Sequence, residues 1–460
     1  MGISASQQPV RQAPAIGQQL LQQHPEQLWP GWCGRRKVQR ALILLLCLFA
    51  FARDADSSVE PASLAAAITA SRDSLLAQPT GESGRLTMVE TNSLYTSMQI
   101  LLYYYVGRQE PNAENIQALR QYLLNTQAVD GSWLFLEGGP SVASLTVLNY
   151  FALKLSGFGA DDPALLRSRE FIRSHGGAEA VSGDMYGLLL ALFGQFELPS
   201  APAMPPALLI TIAPELSWVR MLVIPLMVVL QQQAVCQPPV GFSIDELFLN
   251  KAGSRAMPPD MEVLQIMRAA CAQAAQSSGA WVQADVRPGY GMFARWLLAR
   301  QNASDGLFYD SLPATFCALL SLKAIQQYRD CSAAIDRALA GLRLMQAPAA
   351  GGMYQSPSDA TVPVTCSVAL ALLSSGLTLE APGVAERIDF LWEHQHTKYG
   401  DWFFQVAFPV LPGGWGFTYN SESFPDSDDT AGVLLTLQTA YDGKEGERLC
   451  IEKGTAPFIG

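Results

Sequence analysis

The sequence predicts an all-α protein, on three observations. Apolar residues recur at helical spacing from residue 62 onward, and strand-like alternation is scarce. Several of the helices so marked end in glutamine followed by a turn that contains glycine and an aromatic residue, which is the signature of a repeated helix-to-loop unit.

The elements follow in order. Residues 1–61 read differently from the rest: a Gln- and Pro-rich start, GRRKVQR at 34–40, the twelve apolar residues ALILLLCLFAFA at 41–52, then polar RDADSS. This has the form of a signal peptide with Ala50-Phe51-Ala52 as a cleavage site, and it is too short for a confident membrane span. An upstream mis-start, a weak anchor and a true signal all stay open, and residues 1–40 are expected to be disordered. Helices are then predicted from SLAAAITASRDSLLAQ (63–78), NIQALRQYLLNTQ (115–127), ALLRSREFIRSHGG (164–177), FARWLLARQ (293–301) and AERIDFLWEHQ (385–395). The run VRMLVIPLMVVL (219–230) is interrupted by Arg220 and Pro225, so it reads as a buried inner helix and not as a span. Pro425 favours a further helix start, and AGVLLTLQTA (431–440) carries it. The repeated units are Gln127, Gly131 and Trp133; Gln301, Gly306 and Phe308; and Gln395, Gly400 and Trp402, with Gln78 opening a fourth that lacks its tryptophan.

Composition sets limits on function. A chain of 460 residues with 49% apolar content suggests two or three folded domains. A net charge of −11 without a basic stripe beyond residue 40 argues against nucleic-acid binding, which needs clustered Lys and Arg on the phosphates. The eight cysteines form no C-x-x-C pair, so free thiols are expected. Among the four histidines, His394 and His396 read as part of a helix end, and zinc ligation is not expected.

The stretch GGWGFTYNSESFPDSDDTA (413–431) carries the chemistry. It sets Asp426, Asp428 and Asp429 in the first turn of the helix that follows. Crowded carboxylates cannot all ionise easily, so one keeps a proton that the others orient, and a helix N-terminus stabilises the anion left when that proton departs. Taken alone, the same spacing is a helix cap, with Asp426 as N-cap and Asp429 as the acid of a capping box. Trp415, Phe417, Tyr419 and Phe424 crowd the same loop, and aromatic faces stabilise a cation where water is excluded. Together they point to carbocation chemistry.

GGWGF, the aromatic-proline step and D-S-D-D-T-A resemble, in order and spacing, the protonating motif of the squalene-hopene cyclase family. Further resemblance runs through 127–157, REFIRSHGGAEA (169–180), LALFGQF (190–196), AMPPALLI (203–210) and Trp218 in ELSWVRMLVIPL, and it covers roughly residues 62–440. It implies Asp428 as proton donor with Asp426 and Asp429 as partners, and Phe417, Trp218 and Trp415 as substrate- or cation-stabilising aromatics. It also implies an α/α barrel (terpenoid cyclase/prenyltransferase-like toroid) over 62–345 and the opening of a second, incomplete α/α barrel over 346–460, after the N-terminal extension 1–61. The Gln-Gly-aromatic units resemble that family's QW motifs, which brace outer helices. The implied reaction is polycyclisation of squalene or a related polyprene, begun by protonation of a terminal double bond, and the resemblance implies no metal or organic cofactor for it. The implied setting is a membrane surface at the cytoplasmic face, bound from one side, and a homodimer is admitted.

Departures from the pattern are equally specific. V-P-V-T-C-S places Thr365 and Cys366 where the family has a tryptophan and an acid, Met353 stands in GGMYQ for a tryptophan, and the family's glutamate-tyrosine pair is not reproduced around 88–100. Family members continue beyond the acid motif, so this chain by itself is expected to have little cyclase activity. A non-catalytic lipid-binding remnant and a class II diterpene cyclase are the alternatives. A prenyltransferase β-subunit is disfavoured by the lack of a zinc-ligand set.

Overall fold

The computed structural model describes residues 61–77, 92–181, 183–201, 217–237, 241–250, 255–258, 261–278, 289–358, 360–400, 403, 411–419 and 425–441. The leader-like segment, Gln78, Trp402, Phe424 and the side chain of Trp218 lie outside the described residues. The chain divides after Leu64, and the packing below belongs to Ala65–Gly460.

Fourteen helices of seven residues or more are described: α1 (Pro61–Leu76), α2 (Leu94–Tyr105), α3 (Ala113–Asn125), α4 (Ala143–Leu155), α5 (Pro163–Ser174), α6 (Met185–Ala191), α7 (Ser217–Gln231), α8 (Glu262–Ser278), α9 (Gly289–Leu298), α10 (Leu312–Ala324), α11 (Ser332–Leu344), α12 (Thr361–Ser374), α13 (Ala385–Glu393) and α14 (Ser427–Ala440). Two kinds alternate. In α2, α4 and α10 nearly every side chain is buried whichever way it points, from Leu145 through Leu155 in α4 without a break. Such helices must be enclosed on all sides. In α3, α5 and α11 only one stripe is buried, Ile116, Leu119, Tyr122 and Leu123 in α3 for example, so these cover the first kind and face water.

The enclosed helices pack side by side: α2 on α4, α4 on α6, α7 on α10, and α10 back on α2. The row thus runs from α6 through α4, α2 and α10 to α7. The chain leaving α7 is tied back to the row, with Cys236 N–H donating to Leu192 O at the end of α6 (2.8 Å) and Tyr105 Oη of α2 donating to Ala234 O (2.6 Å). The outer helices sit on their inner neighbours, α3 on α2, α5 on α4 and α11 on α10. One hydrophobic core runs through the whole row, and each fully buried Leu or Phe in it contributes about 1.5–3 kcal/mol. The 219–230 run is the inner helix that its interrupted hydropathy predicts, with Met221, Ile224 and residues 226–230 buried. Among the described residues, no helix is long and apolar enough to cross a membrane.

After α11 the chain makes an antiparallel hairpin, β1 (Gln346–Ala349) with β2 (Gly352–Gln355), which periodicity does not foresee. Its turn residues Ala350 and Gly351 both have positive φ (46° and 71°), the geometry of a two-residue hairpin loop. The hairpin packs on α3 and buries Tyr354 against Tyr122, ring centroids 5.5 Å apart. A second, smaller core then forms from α12, α13 and α14, with Val362, Leu372, Ile388, Phe390, Trp415, Val433 and Leu437 at its centre. Leu75 near the end of α1 packs against it.

Candidate active site

The acid-bearing helix is held by a joint that the fold uses repeatedly. At Trp133 the backbone N–H donates to Thr146 Oγ1 of α4 (3.1 Å) and the indole N–H to Leu123 O of α3 (2.8 Å), while Gln127 Nε2 donates to Gly131 O (3.2 Å) and to Ala164 O of α5 (3.0 Å). At Phe308 the backbone N–H donates to Thr315 Oγ1 of α10 (3.0 Å), and Gln301 Nε2 donates to Gly306 O (2.9 Å) and Ala334 O of α11 (2.8 Å). At Trp415 the backbone N–H donates to Thr430 Oγ1 of α14 (2.9 Å), the indole N–H to Leu391 O of α13 (2.5 Å), and Gln395 Nε2 to Gly413 O (2.7 Å). The glutamine at 395 therefore works with Gly413 and Trp415, which stand farther along the chain than the Gly400 and Trp402 expected from the sequence; Trp402 lies outside the described residues. Tyr354 follows Gly352 as the other aromatics follow their glycines, and Gln355 N–H donates to Thr96 Oγ1 of α2 (3.2 Å), which makes the hairpin a further variant of the joint.

What sets the third joint apart is the residue just before the inner helix. That N-cap is Val142 for α4 and Ser311 for α10, neither of which makes a side-chain cap, and Asp426 for α14. Asp426 Oδ1 accepts from Asp429 N–H (2.9 Å), and the Asp426 backbone N–H donates to Trp415 O (3.0 Å), so the cap is pinned to the aromatic. The acids share the first turn as the spacing predicts, and the capping geometry is present with them. Burial pushes the Asp426 carboxyl up to about 9, reinforced by the charge of Asp429 and by hydrogen bonds shared with the carboxyls of Asp429 and Asp428. The shift favours the protonated form of Asp426 beside its two neighbours.

The resemblance makes Asp428 the proton donor, and the structure turns its side chain to the outside of the helix. Asp428 is exposed, Phe417 is 41% exposed, and Asp429 is half-buried. The helix geometry explains this: with Asp426 turned inward as cap and Thr430 buried under Trp415, the position between them projects outward. Trp415 is fully buried, edge-on to Trp392 (centroids 6.3 Å), and braces the loop. The side chain of Trp218 lies outside the described residues.

Two neighbours, Thr430 and Thr418, escape a reading of the sequence, and a third, Cys366, enters it only as a departure from the family pattern. Thr430 fixes the tryptophan to the acid helix, and its signal, a threonine in the first turn of each inner helix, is visible once Thr146 and Thr315 are aligned with it. Cys366 of α12 faces α14, its Sγ 3.1 Å from Thr436 Oγ1, and burial pushes its thiol up to about 11, so it presents a neutral thiol beside the acids. Thr418 Oγ1, in the acid loop, donates to Asp310 Oδ2 (2.7 Å) in the loop that leads into α10. Nothing local in sequence links those two positions. Among the described residues, no group of three or more His, Cys, Asp or Glu side chains is placed to hold a metal ion.

Comparison with known proteins agrees with the resemblance of the motifs. Residues 68–348 match the family model of the squalene-hopene cyclase N-terminal domain, and residues 360–460 match that of the squalene-hopene cyclase C-terminal domain. A squalene–hopene cyclase of Alicyclobacillus acidocaldarius is 29% identical over 370 residues, which cover 74% of this chain and 54% of that protein. A probable squalene–hopene cyclase of Sinorhizobium fredii is 28% identical over 415 residues, 84% of this chain and 61% of that protein. A dammaradiene synthase of Dryopteris crassirhizoma is 27% identical over 391 residues, 82% and 56% of the two chains. The chain thus spans little more than half the length of these relatives. With both domains matched along most of its described length, the chain belongs to the squalene-hopene cyclase family.

Proposed function

We propose that this protein cyclises squalene or a related polyprene, starting the reaction with a proton from its aspartate cluster. The observation that carries this is the arrangement of the acids: Asp426, Asp428 and Asp429 gathered at the N-terminus of α14 beside aromatic side chains, with burial and the neighbouring carboxyls favouring a proton on Asp426. Protonating an alkene needs a strong acid whose conjugate base is stabilised, and the N-terminus of α14 supplies that stabilisation. Asp428 is the donor in this reading. Asp426 and Asp429 hold and replenish the proton, and Phe417 and Trp218 stabilise the cation that forms. The repeated glutamine–aromatic joints act as the family's QW braces, and the domains run over about 62–345 and 346–460. No organic cofactor or metal takes part in this reading, and the lipid substrate enters from a membrane surface. Leu411, Phe417 and Leu435, exposed around the acid loop and α14, are consistent with a lipid partner.

A non-catalytic lipid-binding role is the second reading, and the exposure of Asp428 and Phe417 favours it, since a cation formed in reach of water is quenched. Purified protein incubated with squalene in detergent and analysed by gas chromatography separates the two. Slow formation of a cyclic triterpene supports the cyclase. Squalene recovered unchanged while it still binds supports the lipid-binding protein, and cyclisation confined to a C20 prenyl diphosphate would move the assignment to a diterpene cyclase.

A further inference from the structure

The loop that leads into α10 adopts a conformation its residues resist. Tyr309 and Asp310 both have φ in the left-handed region, 55° and 43°, where a side chain crowds its own backbone. Two successive non-glycine residues hold this geometry only where surrounding contacts over-determine it. The contacts are there. Phe308 N–H is fixed by Thr315, Leu312 N–H donates to Pro357 O (2.8 Å), and Ser311 bridges to Ser358. The outcome is that Asp310, only 2% exposed and rooted in the first core, reaches Thr418, 1% exposed and part of the loop that pairs with the acid cap.

A buried carboxyl is costly unless hydrogen bonds compensate it, and the acid loop supplies one of those that Asp310 receives. Thr418 Oγ1 donates to Oδ2, and Asn302 Nδ2 lies 3.5 Å from Oδ1. Next to Thr418, Tyr419 N–H donates to Thr361 Oγ1 at the start of α12 (3.3 Å). The loop is therefore gripped from the first core on one side and from the second on the other. Trp415, whose carbonyl receives the Asp426 N–H, stands in that same gripped loop.

We propose that Asp310 is a positioning residue for the acid cluster: its buried carboxyl accepts the Thr418 hydroxyl and so holds the 411–419 loop, and with it the Trp415–Asp426 backbone pairing, in the geometry that keeps Asp426 half-buried. It touches no reacting atom. The inference rests on the reading of the aspartate cluster given above, and it assigns to a residue of the first core control over an acid of the second.

The test is a ¹³C-carboxyl titration of the full chain labelled at aspartate, with the Asp426 signal identified by its loss in Asp426→Asn. Asp310→Gly removes the carboxylate while relaxing the left-handed backbone, so it should fold at least as well as the parent, whereas Thr418→Val removes the donor from the other side. Both should lower the Asp426 midpoint by about one pH unit or more as water reaches the carboxyl. Asp310→Asn, which tolerates the same backbone and still accepts through its amide oxygen, should leave the midpoint at the parent value. A midpoint that stays at the parent value in Asp310→Gly and Thr418→Val, even with a lower melting temperature, reduces the contact to a structural tie and overturns the proposal alone. If Asp426 of the parent protein titrates in the ordinary carboxylate range, the reading of the cluster falls and the role of Asp310 falls with it.

Discussion

Asp426 performs two tasks with one carboxyl, capping α14 through Asp429 N–H and holding the proton of the cluster. The two pull in opposite directions, since a cap favours the anion and burial favours the acid. Burial prevails. Because the folded-state value lies above that of the unfolded chain, the folded protein binds a proton that the unfolded chain has released. The associated stability is fully present below the ordinary carboxylate range near pH 4 and declines until about pH 9. Melting temperature should accordingly fall from pH 5 to pH 9 in the parent, with a flatter profile in Asp426→Asn, which keeps the cap without the titration. A parent profile no steeper than that of the variant would mean that Asp426 is ionised throughout. The sequence shows the three acids and their shared first turn. It does not show which of them are half-covered and which is exposed, because that depends on Trp415 and Thr430 closing over one side of the helix.

At the level of the element, the molecule is built from one joint used again and again, and glycine makes it possible. Gly306 has φ of 78°, and a Cβ there would lie 2.6 Å from Arg337 Cγ and 2.8 Å from Arg337 O on α11. Gly131 meets the backbone of Arg167 on α5 in the same way. Gly306→Ala should therefore cost about 3 kcal/mol or more, from the left-handed backbone and the overlap together, measurable by urea denaturation. A loss below about 1 kcal/mol would show that the joint yields easily. These joints were only partly legible. The units at Gln127 and Gln301 could be read because glutamine, glycine and aromatic stand within a few residues of one another. The unit at Gln395 could not, because Gly413 stands 18 positions away while Gly400 and Trp402 stand nearer in sequence. The Gln346–Gln355 hairpin hid its aromatic as a tyrosine.

Across the whole molecule, helical spacing foretold an all-α chain because enclosed and half-covered helices alternate in it, and both leave a period in the sequence. The packing of α10 onto α2 leaves no local trace, and neither does the bond from Asp310 to Thr418, since both join residues far apart in the chain. The resemblance of separate motifs stood in for that missing information and placed the chain in the right family. What it did not anticipate is an outward-facing Asp428. Whether the cluster nevertheless delivers its proton to an alkene can be read from the product itself. Squalene incubated with the protein in D₂O should give a cyclic triterpene carrying a single deuterium on carbon, added to the former terminal double bond, and Asp428→Asn should reduce its yield by about 10²-fold or more. Cyclic product without carbon-bound deuterium, or equal yield from Asp428→Asn, would contradict the account.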